Sequence, residues 1–188
     1  MMNISDVRLV NWLGRDLDRI AQNVKDEPTN HGSGYPVGSS RWDIPARMGH
    51  APEFIEALTS GNESILVINT HGRWPEDGLE NDGRRGPSCC VDLVEDLGER
   101  TIAAEVIVDF ACGREPESLP VQNCPNLRWY LYCTGGSQFR RQEILFGALL
   151  GQLQSEDEID VAGLLDVAEA GKRDARWKLA EAHNGAWV

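Results

Sequence analysis

Two stretches decide the reading of this chain: Ser64-Ile65-Leu66-Val67-Ile68-Asn69-Thr70-His71-Gly72 and Val106-Ile107-Val108-Asp109-Phe110-Ala111-Cys112-Gly113. Ile65 to Ile68 is a short unbroken apolar run, which suits a strand buried on both faces. A second buried strand, Ala104 to Phe110, contains Val106, Ile107 and Val108. Each ends on a small, flexible pair that carries a reactive side chain, His71-Gly72 in one case and Cys112-Gly113 in the other. In open α/β sheets the ligand site lies beyond the carboxyl ends of the strands. Neighbouring parallel strands would bring His71 and Cys112 together there, although they are far apart in sequence.

Working outward, 73–87 is hydrophilic and rich in turn formers, the pattern of an exposed hairpin or flap. Trp74, three residues past His71, is expected near the cleft. Segment 88–97 reads as a helix with Cys90, Leu93, Val94 and Leu97 on one face. Leu127 to Cys133 is a third strand, broken by Thr134-Gly135-Gly136-Ser137. A helix over 138–153 follows, then an acidic stretch and a final helix from about Ile159 to Ala182. Upstream, Val10, Leu13, Leu17, Ile20 and Val24 recur at helical spacing, capped by Ser5 or Asp6 and ended by Pro28. After a loop rich in Gly, Pro, Ser and Asn, Pro52 opens a short helix that Gly61 stops. Strands alternating with helices predict an α/β sandwich with a mostly parallel sheet.

The chain has 188 residues, enough for one domain with a sizeable core. Residues 1–60 form an expected helical segment and loop, and 61–188 the catalytic part. A formal charge of −12, from 30 acidic against 18 basic residues, disfavours binding to nucleic-acid phosphates. No apolar run approaches the length of a membrane span, and Met1 to Val10 lacks the pattern of a secretory signal. The expected setting is cytoplasmic. The odd count of five cysteines then argues for thiols rather than a disulfide framework. None forms a C-x-x-C pair and the four histidines are scattered, so ligand spacing gives no support for a metal site.

The chemistry that suits this pair is nucleophilic catalysis. A thiolate attacks a carbonyl carbon, while a nearby imidazole tunes the thiol and protonates the leaving amine. Gly72 lets the backbone approach a substrate closely. The amides of Gly72 and Cys112 would supply oxyanion donors, each worth about 3 kcal/mol of barrier. No cofactor or metal is required. Taken singly, His71 is more simply a strand-end hydrogen-bonding group and Cys112 a small buried hydrophobe. Their conjunction at two buried strand ends with flanking glycines favours the dyad. Cys133 is expected in the core, and Cys124, beside Pro125, on an exposed loop.

An apolar strand ending in His-Gly, followed by one ending in Ala-Cys, resembles the caspase, metacaspase and CHAT-type cysteine peptidases. The caspase signature Q-A-C-x-G has its His about 50 residues upstream, a spacing similar to that of His71 and Cys112. Gly78-Leu79-Glu80-Asn81-Asp82-Gly83 would be the hairpin of a CHAT domain, and Trp129 to Phe139 with Gly147-Ala148-Leu149-Leu150 resembles the small-subunit half of caspase-like enzymes. The resemblance spans about half of the chain. It implies a caspase-like three-layer sandwich, a protein or peptide substrate, and an activator or regulatory partner in a defence or stress pathway. It also implies substrate-binding residues. Ser137-Gln138-Phe139-Arg140 resembles the caspase Ser-x-Arg, whose Arg grips acidic substrate, with Arg141 beside it.

At the specificity position two before the cysteine, caspases carry Gln and metacaspases Asp, whereas this chain has Phe110. Asp109 stands one residue further back and faces the other way in an extended strand. It is then either a structural carboxylate or, at a bulged strand end, a substrate-binding one. Two rival readings stand beside the peptidase. One is an inactive caspase-like interaction module, for which Phe110 leaves room. The other is an α/β hydrolase with a Cys nucleophile, which wants G-x-C-x-G, and Phe110 to Arg114 lacks the first glycine.

Overall fold

Continuous apolar runs can be buried on both faces only inside a sheet that helices cover from either side. The chain builds such a sheet. The computed structural model describes residues 6–12, 40–44, 50–72, 79–80, 90–136, 139–155, 159–170 and 176–188. The strands are β1 (Val7–Asn11), β2 (Ser40–Asp43), β3 (Ile65–Asn69), β4 (His71–Gly72), β5 (Leu79–Glu80), β6 (Cys90–Val91), β7 (Val106–Asp109), β8 (Trp129–Cys133), β9 (Trp177–His183) and β10 (Ala186–Trp187). Seven of them form the main sheet in the order β2-β1-β3-β7-β8-β9-β10. The pairs from β2 through β8 are parallel, while β8–β9 and β9–β10 are antiparallel. The other three, β4-β5-β6, make a small antiparallel sheet between β3 and β7 in the chain.

Four helices are seen among the described residues: α1 (Ala51–Thr59), α2 (Leu93–Asp96), α3 (Phe139–Ser155) and α4 (Val161–Glu169). Side chains of successive strand residues point to opposite faces, and the core divides accordingly. Leu66, Ile68, Ile107 and Tyr130 pack with Phe54, Ile55 and Leu58 of α1 and Leu93 of α2. Ile65, Val67, Val106, Val108 and Leu131 pack with Leu145, Phe146 and Leu149 of α3 and Leu164 of α4. The result is three layers, helix–sheet–helix, around a mostly parallel sheet, as the alternation of elements predicted.

The N-terminal expectation is corrected. Val10 lies in β1, a strand buried at every position, and not in a helix. β1 sits between β2 and β3, so residues before 60 supply two strands of the main sheet. A five-residue apolar strand has no period of its own to oppose a helical pattern that continues beyond it. The rest of that predicted helix, from Leu13 to Val24, lies outside the described residues.

Arg8 is the one charged residue of β1. It donates from Nε to Glu63 at 2.9 Å, from Nη1 to Ala57 O at 3.0 Å and to Ser60 Oγ at 2.9 Å. Its guanidinium also lies 5.8 Å from the centre of the Trp42 ring. One buried cation thus ties β1 and β2 to the end of α1 and the start of β3.

Two further boundaries move. The final helix stops at Glu169, and Trp177–His183 is the strand β9, paired with β8 from Trp129↔Glu181 to Cys133↔Trp177. Ala, Lys and Glu favour helix locally, but the unpaired edge of β8 offers a full ladder and wins. The Glu169 carboxylate accepts from the amides of Arg176 and Trp177, at 3.0 and 2.5 Å, and so fixes the entry to β9. In the same way, segment 88–97 divides into β6 and α2. Asp92 caps the helix by accepting from Val94 N at 2.9 Å, which starts it two residues after the strand.

Candidate active site

The site is built at the carboxyl ends of β3 and β7, which pair in register from Ile65↔Val106 to Ile68↔Asp109. Beyond Asn69 and the buried Thr70, the chain turns into β4, where His71 and Gly72 are half-buried and pair with Glu80 and Leu79 of β5. The flap expected from 73–87 is in part this small sheet. Trp74 lies outside the described residues.

Past β7, Phe110 N still bonds to Ile68 O at 2.9 Å, whereas Arg114 N bonds to Cys133 O at 2.9 Å and Gly113 N to Gly135 O at 3.3 Å. The main chain therefore passes from the side of β3 to the side of β8 across Ala111-Cys112-Gly113, and Cys112 stands on the crossing. Gly113 has φ 66°, a left-handed conformation that favours glycine directly after the cysteine. Cys112 is a half-buried thiol.

Gly72 closes the site from the other side. A methyl group built on it would overlap the carbonyl oxygen of Cys112 and lie 2.6 and 2.8 Å from the Cys112 carbonyl carbon and amide nitrogen. The main chain after His71 thus presses directly on the main chain of Cys112. The strand ends that carry His71 and Cys112 thus lie side by side, joined through the main chains of Gly72 and Cys112.

The substrate-binding candidates fare differently. Asp109 is 1% exposed, and its carboxylate is taken up inside the protein. It accepts from Ala111 N at 2.9 Å, from Arg114 Nε at 3.0 Å and from the Tyr130 hydroxyl at 2.9 Å. This corrects the substrate-binding expectation for Asp109: an extended strand end turns it away from the cleft, into the layer that holds Tyr130. Phe110 points to the opposite layer, where it makes edge-on contacts with Phe146 at 6.3 Å and Trp177 at 6.0 Å. Arg140 lies in the first turn of α3, and its side chain is outside the described atoms. That helix is fastened beside the site by Gln142, which donates from Nε2 to Phe110 O at 2.9 Å.

Several residues near the site were not singled out from sequence. Neither Arg114 nor Tyr130 was named as a site residue, and only their contacts with Asp109 reveal them. Arg176 was hidden in the expected final helix. Its side chain lies over the turn after β8, where a methyl on Gly135 would meet its Cδ at 2.6 Å. Cys124 corrects another expectation, since it is fully buried and burial pushes its thiol up to about 12. Cys133 is in the core, as its strand pattern implied.

Among the described residues, no group of three His, Cys, Asp or Glu side chains is placed to hold a metal. No helix among them is long and apolar enough to cross a membrane. Comparison with protein-family models gives no match, and neither does comparison with curated proteins.

Proposed function

We propose that the chain is a caspase-like cysteine peptidase with Cys112 as nucleophile and His71 as general acid and base. The contact that carries this reading is the one between Gly72 and Cys112, which joins the His71 and Cys112 strand ends with no room for even a methyl group between them. The sheet order, with parallel strands followed by an antiparallel pair and a small flap between the two site strands, supports the same reading.

In this mechanism His71 takes the thiol proton of Cys112, the sulfur bonds to the substrate carbonyl carbon, and the carbonyl electrons move to oxygen, which the amides of Gly72 and Cys112 stabilise. The C–N bond then breaks, with His71 delivering a proton to the leaving amine. Water, deprotonated by His71, attacks the thioester; its oxygen bonds to the acyl carbon, the C–S bond breaks with its electrons on sulfur, His71 returns the proton to Cys112 and the acid is released. Cytoplasmic action on a protein substrate, controlled by an activator in a stress or defence response, belongs to the same proposal.

A peptide-library cleavage assay, run with and without candidate partners, tests it. Cleavage by the wild type and none by Cys112→Ala is expected; cleavage that survives in Cys112→Ala overturns the assignment.

One observation favours a second reading, that of an interaction module without activity. Phe110 is fully buried and Asp109 is engaged internally, so neither presents a polar group to a primary-specificity pocket. Labelling with a thiol-reactive peptide electrophile separates the two. Selective reaction at Cys112 supports the enzyme, and no reaction supports the module.

A further inference from the structure

Arg114 and Asp109 stand on either side of Cys112 in sequence, and both are 1% exposed. The Asp109 carboxylate divides its two oxygens. Oδ1 accepts from Ala111 N, the peptide just before Cys112, while Oδ2 accepts from Arg114 Nε and from the Tyr130 hydroxyl. Arg114 reaches onward from Nη2 to Ser118 O at 3.0 Å, which anchors the outgoing chain. A buried ion pair therefore closes a small ring around the peptide that bears the thiol, and a tyrosine of the neighbouring strand supports it from below. Burial and then the Asp109 charge push the Tyr130 hydroxyl well above its usual range, so it remains a proton donor throughout the neutral range.

We infer that Asp109, Arg114 and Tyr130 are positioning residues: together they hold the Cys112 loop in the orientation that catalysis needs, without touching substrate. The inference rests on the peptidase reading of Cys112. A merely structural role can be told apart from it, because removing both charges at once leaves no uncompensated ion and is commonly tolerated by the fold. Asp109→Asn combined with Arg114→Met does this; the Asn Oδ1 still accepts from Ala111 N, while its Nδ2 donates to the Tyr130 oxygen and so reverses that hydrogen bond.

The variant is expected to unfold cooperatively, with kcat lowered about thirtyfold and KM unchanged, since a misaligned nucleophile loses transition-state contacts rather than ground-state binding. Iodoacetamide, which needs no bound substrate, should alkylate Cys112 about threefold faster as the loop slackens. Arg114→Lys, which keeps the charge and loses the planar fork, should recover part of kcat. A folded double variant with wild-type kcat and a wild-type iodoacetamide rate overturns the inference. Should the double variant fail to fold, Tyr130→Phe is read on the same two scales: shifts of about threefold support the clamp, and unchanged rates overturn it. A wild type that cleaves no peptide overturns the peptidase reading alone. The clamp is then judged by the iodoacetamide rate, which is expected to rise in the variant and overturns the clamp if it does not.

Discussion

The Cα of Gly72 lies against the main chain of Cys112, so closely that a methyl group on Gly72 would stand 2.6 Å from the Cys112 carbonyl carbon. The obstacle is backbone and not the flexible end of a side chain, so the neighbour cannot simply swing aside. Gly72→Ala is therefore expected to lower the Tm and to cut kcat by about a hundredfold, the scale of loss that follows an ångström-sized misplacement. Thermal denaturation together with steady-state kinetics checks this. Wild-type turnover in a folded Gly72→Ala protein would show that the contact plays no part in the chemistry.

His71 gives a contrasting expectation. It is half-buried, outside the main sheet, and lies in neither core cluster. Replacing it with Ala should leave the Tm nearly unchanged while kcat falls about 10²- to 10⁴-fold, the range for loss of a general acid or base. Equal losses of stability and activity would point instead to a structural histidine.

The thiols should separate by burial. With Cys124 at about 12, only about one part in 10⁵ is thiolate at pH 7. Mass-spectrometric mapping after brief iodoacetamide treatment should find Cys112 modified and Cys124 intact, with Cys124 reacting only once urea unfolds the chain. Native-state modification of Cys124 would contradict its place in the core.

The ion pair of Arg8 and Glu63 predicts a pH-dependent stability. Burial pushes the Glu63 carboxyl up, but the hydrogen bonds from Arg8 and Ser40, with the Arg8 charge, outweigh it and the net shift is down. A carboxyl held lower in the folded than in the unfolded chain adds stability above its unfolded value, near 4.3, and that stability is lost as pH falls through the folded value. Glu63→Gln should cost about 2 kcal/mol at pH 7 and progressively less on acidification. A constant difference across a Tm series from pH 7 to pH 3 would exclude the pair as its source.

Phe110 should behave as a core residue. Its ring fills the space between Phe146 and Trp177. Phe110→Ala is expected to cost about 3–5 kcal/mol. Phe110→Gln, the side chain that caspases have there, should destabilise as well and not create a new cleavage preference. Both are read by urea denaturation and by peptide-library profiling.

Where apolar runs stand alone between turn formers, sequence suffices. Ile65–Asn69 and Val106–Asp109 are strands because nothing local competes with burial on both faces. The positions of His71 and Cys112 follow, since they come shortly after those runs. Sequence fails where local preference and tertiary pairing disagree. Val7–Asn11 adjoins a helical period, and Trp177–His183 is composed in part of helix formers, yet both are strands. β9 is held by the ladder with β8, which no local pattern encodes.

The same division runs through the site. That the strand ends carrying His71 and Cys112 lie side by side at the carboxyl end of a parallel sheet follows from residue order and hydrophobic pattern alone. What Asp109 does was decided only by the tertiary structure. Its partners Arg114 and Tyr130 reach it from beyond the cysteine turn and from the next strand, and the direction a carboxylate faces at a strand end depends on how the chain crosses from one neighbour to the other. The sequence fully allowed a substrate-binding Asp109; three buried hydrogen bonds make it part of the frame beneath Cys112.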